Sequence, residues 1–221
     1  MKILCLCLCV GVLCLSGVVK AGPTYSFVNI SNNNAVDAAI GEAQLSVELF
    51  DLGDTAQFVF SNSGLYASSI TDIYFDDGTN SIFNAPIFLA DIDNSDAGVS
   101  FAPGATPGNV PAANLALPGF DTTDGLSADS DSPHLSANGV NPGETLGITL
   151  AFIDGVNFND LINEMASGDL RIALHVQGFD GGGSETFVNT PIVPIPSSLL
   201  LATIGIGTVK FLRQRKGKRL A

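Results

Sequence analysis

The side chains able to do chemistry in this 221-residue chain are many on the acidic side and few on every other. Its two histidines are His134 and His175, Arg171 is the one base between Lys20 and Lys210, and all 22 acids fall between Asp37 and Glu185. A nucleophilic serine or cysteine needs a histidine and an orienting acid beside it. No Gly-x-Ser-x-Gly turn is present, and Ser184 in Gly182-Gly183-Ser184-Glu185 reads as part of a loop. His175 follows Arg171 at an even spacing in an alternating segment, so both fall on one strand face, where a polar network is the simpler role than a catalytic base. Paired carboxylates such as Asp76 and Asp77 could serve a glycosidase, but with 22 acids in the chain some pair is inevitable and the spacing carries no weight. No catalytic set is expected.

Calcium is the better-motivated ligand, because hard cations want several oxygen donors. Asp91-Ile92-Asp93-Asn94-Ser95-Asp96 offers them at alternating positions, with Asp91, Asp93 and Asp96 as the candidate ligands. The run departs from an EF-hand, having Asp96 where that loop needs Gly and Ala102 where it needs Glu. Residues 121–131, DTTDGLSADSD, form a second oxygen-rich stretch, and solvated acidic turns are the alternative for both. Sugar binding usually recruits flat aromatic platforms; this chain has no Trp, and its tyrosines are Tyr25, Tyr66 and Tyr74.

The elements that must carry these residues read as strands. Residues 44–50, 56–60, 70–75 and 145–152 alternate apolar and polar side chains and end in turns. Residues 169–179 alternate best, with Leu170, Ile172, Leu174 and Val176 on one face and Arg171, His175 and Gln177 on the other. Asp76-Asp77-Gly78-Thr79 and Asn138-Gly139-Val140-Asn141-Pro142-Gly143 supply turn chemistry. Between Asn157 and Ser167, Phe158, Leu161, Ile162 and Met165 take helical spacing, and Gly168 can end that helix. Residues 90–136, rich in Pro, Gly, Asn and Asp, are expected to be loops interrupted by short strands. The expected fold is all-β: an antiparallel β-sandwich of jelly-roll type with one short helix.

The two ends differ from this body. Met1-Lys2 and the apolar run 3–19, followed by Val19-Lys20-Ala21, have the form of a signal peptide over residues 1–21, with signal peptidase cutting between Ala21 and Gly22. All four cysteines (Cys5, Cys7, Cys9, Cys14) lie in that run, so the remaining chain is cysteine-free and has no disulfide framework. Residues 192–209 are uncharged and would rise about 27 Å as a helix, close to a bilayer core, with Lys210 able to snorkel. A single transmembrane helix is expected over about residues 197–212. Arg213, Arg215, Lys216, Lys218 and Arg219 follow it and act as a stop-transfer cluster on the cytoplasmic side. One base against 22 acids leaves residues 21–209 with a formal charge of −21, against −13 for the whole chain, so nucleic acid is excluded as a partner.

The order Pro194-Ile195-Pro196, Ser197, Ser198, a short Leu-, Gly- and Ala-rich segment and a terminal basic string resembles the PEP-CTERM sorting signal. The resemblance covers residues 192–221, and Ile195 stands where the family's signature glutamate would be. It implies that residues 191–221 are a processing signal, cut near the proline motif by exosortase, a membrane protease. It also implies a surface or extracellular protein of a Gram-negative bacterium that makes exopolysaccharide. IYFDDG (73–78), GVNPGE (139–144) and LRIALHVQGF (170–179) are similar to a recurrent ectodomain of such proteins. The expectation is an acidic ectodomain, residues 22–190, exported, held briefly at the inner membrane and delivered to the cell surface or extracellular matrix as a non-enzymatic structural or interaction protein. The alternatives are a calcium-dependent polysaccharide-binding module and, behind it, a carbohydrate-active enzyme.

Overall fold

The computed structural model describes residues 20–78, 81–84, 91–93, 98–133 and 137–190. The chain divides between Thr190 and Pro191 into two units, and the fold is that of the first. The apolar run 3–19, Asp96, His134, the proline motif, the expected transmembrane segment and the basic string lie outside the described residues. Among the described residues no helix is long and apolar enough to cross a membrane.

Alternating segments become strands where expected. β1 spans Lys20–Asn29, and helix α1 (Ala35–Gln44) leads straight into β2 (Leu45–Asp51). β3 (Thr55–Asn62), β4 (Ser69–Asp77), β5 (Asp91–Asp93), β6 (Phe101–Pro103) and β7 (Ser127–Ser130) follow, with a 3-10 turn at Ala113–Leu115. β8 (Thr145–Ala151), α2 (Phe158–Ser167), β9 (Leu170–Gln177) and β10 (Ser184–Asn189) complete the unit. All pairings are antiparallel, in the order β5-β8-β3-β2-β1-β10-β9-β4-β7-β6.

This one sheet curls almost into a barrel. β3 and β4 stand five places apart in the order, a separation of about 24 Å were the sheet flat. Instead the Phe75 ring meets those of Phe58 and Phe60 edge-on, at centroid distances of 5.2 and 6.2 Å. The bend runs through β1, whose residues up to Ser26 pair with β2 and whose Phe27–Asn29 pair with β10. Pro23, which has no N–H to donate, sits where the β1–β2 register shifts between Ala21 and Thr24. Leu45, Val47, Leu49, Ile73, Ile148, Ile172, Leu174 and Val176 fill the interior with these rings.

Two expectations are corrected. There are two helices, not one: α1 was not anticipated, whereas α2 forms over the predicted span with Asn157 and Asp160 as a capping box and Gly168 ending it at φ 82°. Successive strands are neighbours in the sheet at β1-β2-β3, β6-β7 and β9-β10, whereas β3-β4, β4-β5, β5-β6, β7-β8 and β8-β9 join strands that stand apart in the order. Finally, β4 is not half-exposed but buried at every residue, because the long segment after β6 lies over its outer side. There Tyr74, Ala173 and Val188 pack with Val110, Ala116 and Phe120 as a second apolar layer.

Phe58 is fully buried in the interior ring cluster, and Phe58→Ala removes contacts with both Phe75 and Phe83. The expected loss is about 3–5 kcal/mol in urea unfolding, whereas Leu65→Ala, at a side chain 96% exposed, is expected to stay within about 0.5 kcal/mol of the parent. Equal losses at the two positions would contradict the burial described.

Candidate functional site

Three polar clusters bring together residues distant in sequence. The first is on the outer side of β4 and β9, where register sets Asp76 opposite Arg171, Tyr74 opposite Ala173 and Asp72 opposite His175. The Arg171 guanidinium pairs with Asp76 and donates to the carbonyls of Pro118 (2.6 Å) and Gly119 (2.6 Å), while its Cζ lies 5.3 Å from the Phe120 ring centroid. Asp76 also accepts from the Asp121 amide at 3.1 Å. The sheet's one arginine thus grips the covering segment by both its backbone and its aromatic ring. Tyr74 Oη donates to the Pro107 carbonyl at 3.1 Å, and burial, ahead of the nearby charges of Asp72 and Asp129, pushes its phenol up.

At the other end of the same face His175 Nδ1 lies 2.9 Å from Asp72 Oδ2. Gln177 Nε2 also lies 3.3 Å from that nitrogen, but Nδ1 cannot donate to the carboxylate and accept from the amide at once, so the shorter contact takes the proton. Thr71 Oγ1 donates to the same Asp72 oxygen at 2.8 Å. The hydroxyl is bound to the acid rather than to the ring, so the order nucleophile, base, acid is not formed. The expected polar network around Arg171, His175 and Gln177 is present.

The second cluster centres on Glu185, which is not in a loop with Ser184 as the sequence implied but is the buried second residue of β10. Its carboxylate accepts from Asn29 Nδ2 (2.8 Å), Ser31 Oγ, and the amides of Asn33 (3.2 Å) and Asn34 (2.5 Å). Asn34 is the N-cap of α1, so this one acid fixes the entry to that helix. Burial pushes the carboxyl up, but the hydrogen bonds from Ser31, Asn29, Asn34 and Asn33 outweigh it and hold it below the usual glutamate range. Asp37, in the first turn of α1, is pushed the other way by burial and then by the charges of Glu185 and Asp180. Asp77, next to Asp76 but facing the interior, accepts from the amides of Ser81, Ile82 and Phe83. Burial raises its carboxyl despite those bonds. The adjacent acids Asp76 and Asp77 therefore serve opposite sides of one strand and do not act as a pair.

The third feature is a groove of about 680 Å3 at the end of the sheet, lined by Leu65, Ser69, Asn141, Glu144, Gly178 and Asp180 among others. Beneath it Gln44 and Asn62 lock the 63–68 loop: Gln44 Nε2 donates to Asn62 Oδ1, the Tyr66 carbonyl and Ser68 Oγ, and Asn62 Nδ2 donates to Ser68 and to the Val140 carbonyl. Glu144 accepts from the backbone and side-chain amides of Asn141, closing the turn in GVNPGE. Ser69 Oγ is the one buried side-chain N or O atom left without a hydrogen-bond partner among the described residues.

The remaining sequence candidates are placed as follows. Ala21 and Gly22 lie in β1, Ala21 opposite Phe50. Asp91 and Asp93 stand in β5 opposite Thr149 and Gly147, and Asp93 is exposed. Residues 127–130 of the second oxygen-rich stretch form β7. Among the described residues no group of three or more His, Cys, Asp or Glu could hold a metal ion. The groove and the Glu185 cluster were not anticipated; only the turn residues of GVNPGE and the glycines after Asp180 signalled loops there. Compared with protein-family models, curated proteins and solved structures, the chain has no significant match.

Two predictions follow from the first two clusters. Arg171→Lys keeps a charge but loses the fork that holds two carbonyls and Asp76 together, so chymotryptic cleavage after Phe120, now 3% exposed, should quicken about tenfold; an unchanged rate would show that the clamp does not hold the segment. Glu185→Gln should cost about 1–3 kcal/mol at neutral pH. Because the folded pKa lies below the ordinary glutamate value of 4.5, the wild-type advantage is full above that value and fades as pH falls through the lower folded one. Urea melts in which the difference between the two proteins persists undiminished at the acid end would contradict this anchoring.

Proposed function

We propose that the protein is an exported surface or extracellular-matrix component whose acidic body, residues 22–190, acts by interaction and not by catalysis. Residues 191–221 are its sorting signal, cut by an exosortase-type membrane protease. The observation that carries this reading is the division of charge: every acid lies between Asp37 and Glu185, and six of the nine bases lie from Lys210 on, after 18 uncharged residues. Such a segment is stable across lipid with its basic end held in the cytoplasm, which leaves the anionic body outside. A signal peptide at 1–21 requires the same orientation.

The body tolerates both cuts. The C-terminal strand's last hydrogen bonds run from Thr190 to Ser26, so none of those described is lost on removal of residues after Pro194. A cut after Ala21 removes the register pairs of Lys20 with Asp51 and Ala21 with Phe50, while Thr24, Tyr25 and Ser26 still pair with β2. Surface chemistry favours an extracellular life: Lys20 and Arg171 are the only lysine or arginine among the described residues, and Arg171 is largely enclosed by its clamp, so trypsin-like proteases meet almost no cleavable side chain.

Intact mass of the protein recovered from native cells tests both cuts at once. The expected species begins at Gly22 and lacks the residues after about Pro194. Deleting Arg213, Arg215, Lys216, Lys218 and Arg219 is expected to let the uncut chain slip outward. Recovery of the full-length polypeptide, soluble and inside the cell, would end this reading.

A further inference from the structure

We propose that the groove between the 63–69, 141–144 and 178–180 loops binds a glycan unit bearing a free, protonated amine: an amino sugar without its acetyl group. The inference goes beyond the export reading and does not depend on it, since the groove belongs to the folded body in whichever compartment that body lies.

The lining states what the ligand must offer. Glu144 and Asp180 are acceptors, and among the described residues no lysine or arginine lines the groove to receive an anion. Two hydroxyls supply donors. Ser68 Oγ already accepts from Gln44 Nε2 and Asn62 Nδ2 at 3.1 Å each, so its own proton is free to donate elsewhere. Ser69 is 2% exposed, and its Oγ has no partner at all. Native proteins rarely leave a buried hydroxyl in that state, and Ser69 is among the residues that line the groove. Asn141 offers no further donor, because its side-chain NH2 is committed to the Gly139 carbonyl and to Glu144, and its Oδ1 can only accept.

Three ligand chemistries can be weighed against this set. An anionic glycan or phosphate would face two carboxylates and a body of formal charge −21. A simple polyamine would suit the carboxylates but leave the serine protons without acceptors, and unpaired buried donors are costly. A neutral sugar would satisfy the hydroxyls but bring no charge to the carboxylates. A sugar ring with an ammonium group meets both demands, since its hydroxyl oxygens accept from the serines and its ammonium makes charge-assisted bonds to Glu144 or Asp180. Leu65, 96% exposed, and Tyr66, 63% exposed, stand on the same 63–69 loop and offer apolar surface to the C–H face of the ring.

Calorimetric titration of the full-length protein in mild detergent, at mildly acid pH, uses three probes: a fully deacetylated glucosamine tetramer, the same tetramer fully N-acetylated, and spermidine. The deacetylated tetramer is expected to bind about tenfold more tightly than either of the others. Asp180→Asn should weaken it about fivefold, and Ser69→Ala about threefold. The Ser69→Ala melting midpoint should hold or rise, because a buried hydroxyl without a partner has been removed; that separates lost binding from lost folding. Equal affinity for the two tetramers would mean a neutral-sugar site, and equal affinity for spermidine a plain cation site; either overturns the proposal. So would absence of binding by all three probes, or unchanged affinity in both variants.

Discussion

The Arg171 guanidinium holds the molecule's layers in place. It stands on β9 with Asp76 opposite, Phe120 above and the Pro118 and Gly119 carbonyls at its fork. A charge drawn largely out of water is costly unless its partners are complete. Here the partners come from two directions, the sheet and the segment lying over it, so the cost is offset only while the segment is down. Asn109 reinforces the arrangement by accepting from Thr122 and donating to the Phe120 carbonyl, which rigidifies the stretch that Arg171 grips.

From that clamp follows the asymmetry of the two halves of the sheet. On β2 and β3 buried residues alternate with half-exposed ones, as in a sheet with one face to solvent. On β4 nothing alternates: Ile73 and Phe75 face the interior while Asp72, Tyr74 and Asp76 face the covering layer. On a strand buried on both sides every unpaired polar group is costly; the acids of β4 are each satisfied, separately, while Ser69 Oγ at its start is not. Asp72 takes His175 and Thr71, Asp76 takes Arg171 and the Asp121 amide, and Asp77 takes three amides of the following turn. Acids that looked like surplus surface charge are here internal connectors.

This explains what could be read from the sequence and what could not. β2, β3, β8, β9 and α2 were legible because each buries large apolar side chains at the period of its own backbone. α1 was not, since the face it buries is Asp37, Ala38, Gly41 and Gln44, which carries no large apolar residue. Its packing depends on an absence: a Cβ at Gly41 would lie 2.1 Å from the Phe187 ring, so the helix approaches β10 closely only because a glycine is there. β10 was hidden for a related reason. Its buried residues include Glu185, Thr186 and Asn189, whose partners lie near residue 30 or on β9, and no local pattern reports a contact across 150 positions. The groove is harder still, as it exists only where three separated loops converge; the glycines and prolines marked each loop but not the meeting.

Using its one internal cation inside the fold leaves the body's exterior almost wholly anionic, and this limits what it can touch. At long range such a field attracts cations and opposes the approach of polyanions before any contact forms. At short range the same surface has few donors of its own, because lysine and arginine are the usual exposed ones. Hydroxyls and amides must take that role, and most are committed: Asn62 and Gln44 to the loop they lock, Asn141 to Glu144, Asn29 to Glu185. Ser69 stands out because, among the described residues, its Oγ is the one buried side-chain polar atom without a partner. In a protein whose polar groups are otherwise placed so completely, the one hydroxyl left over beside an open groove is where an external partner would complete the set.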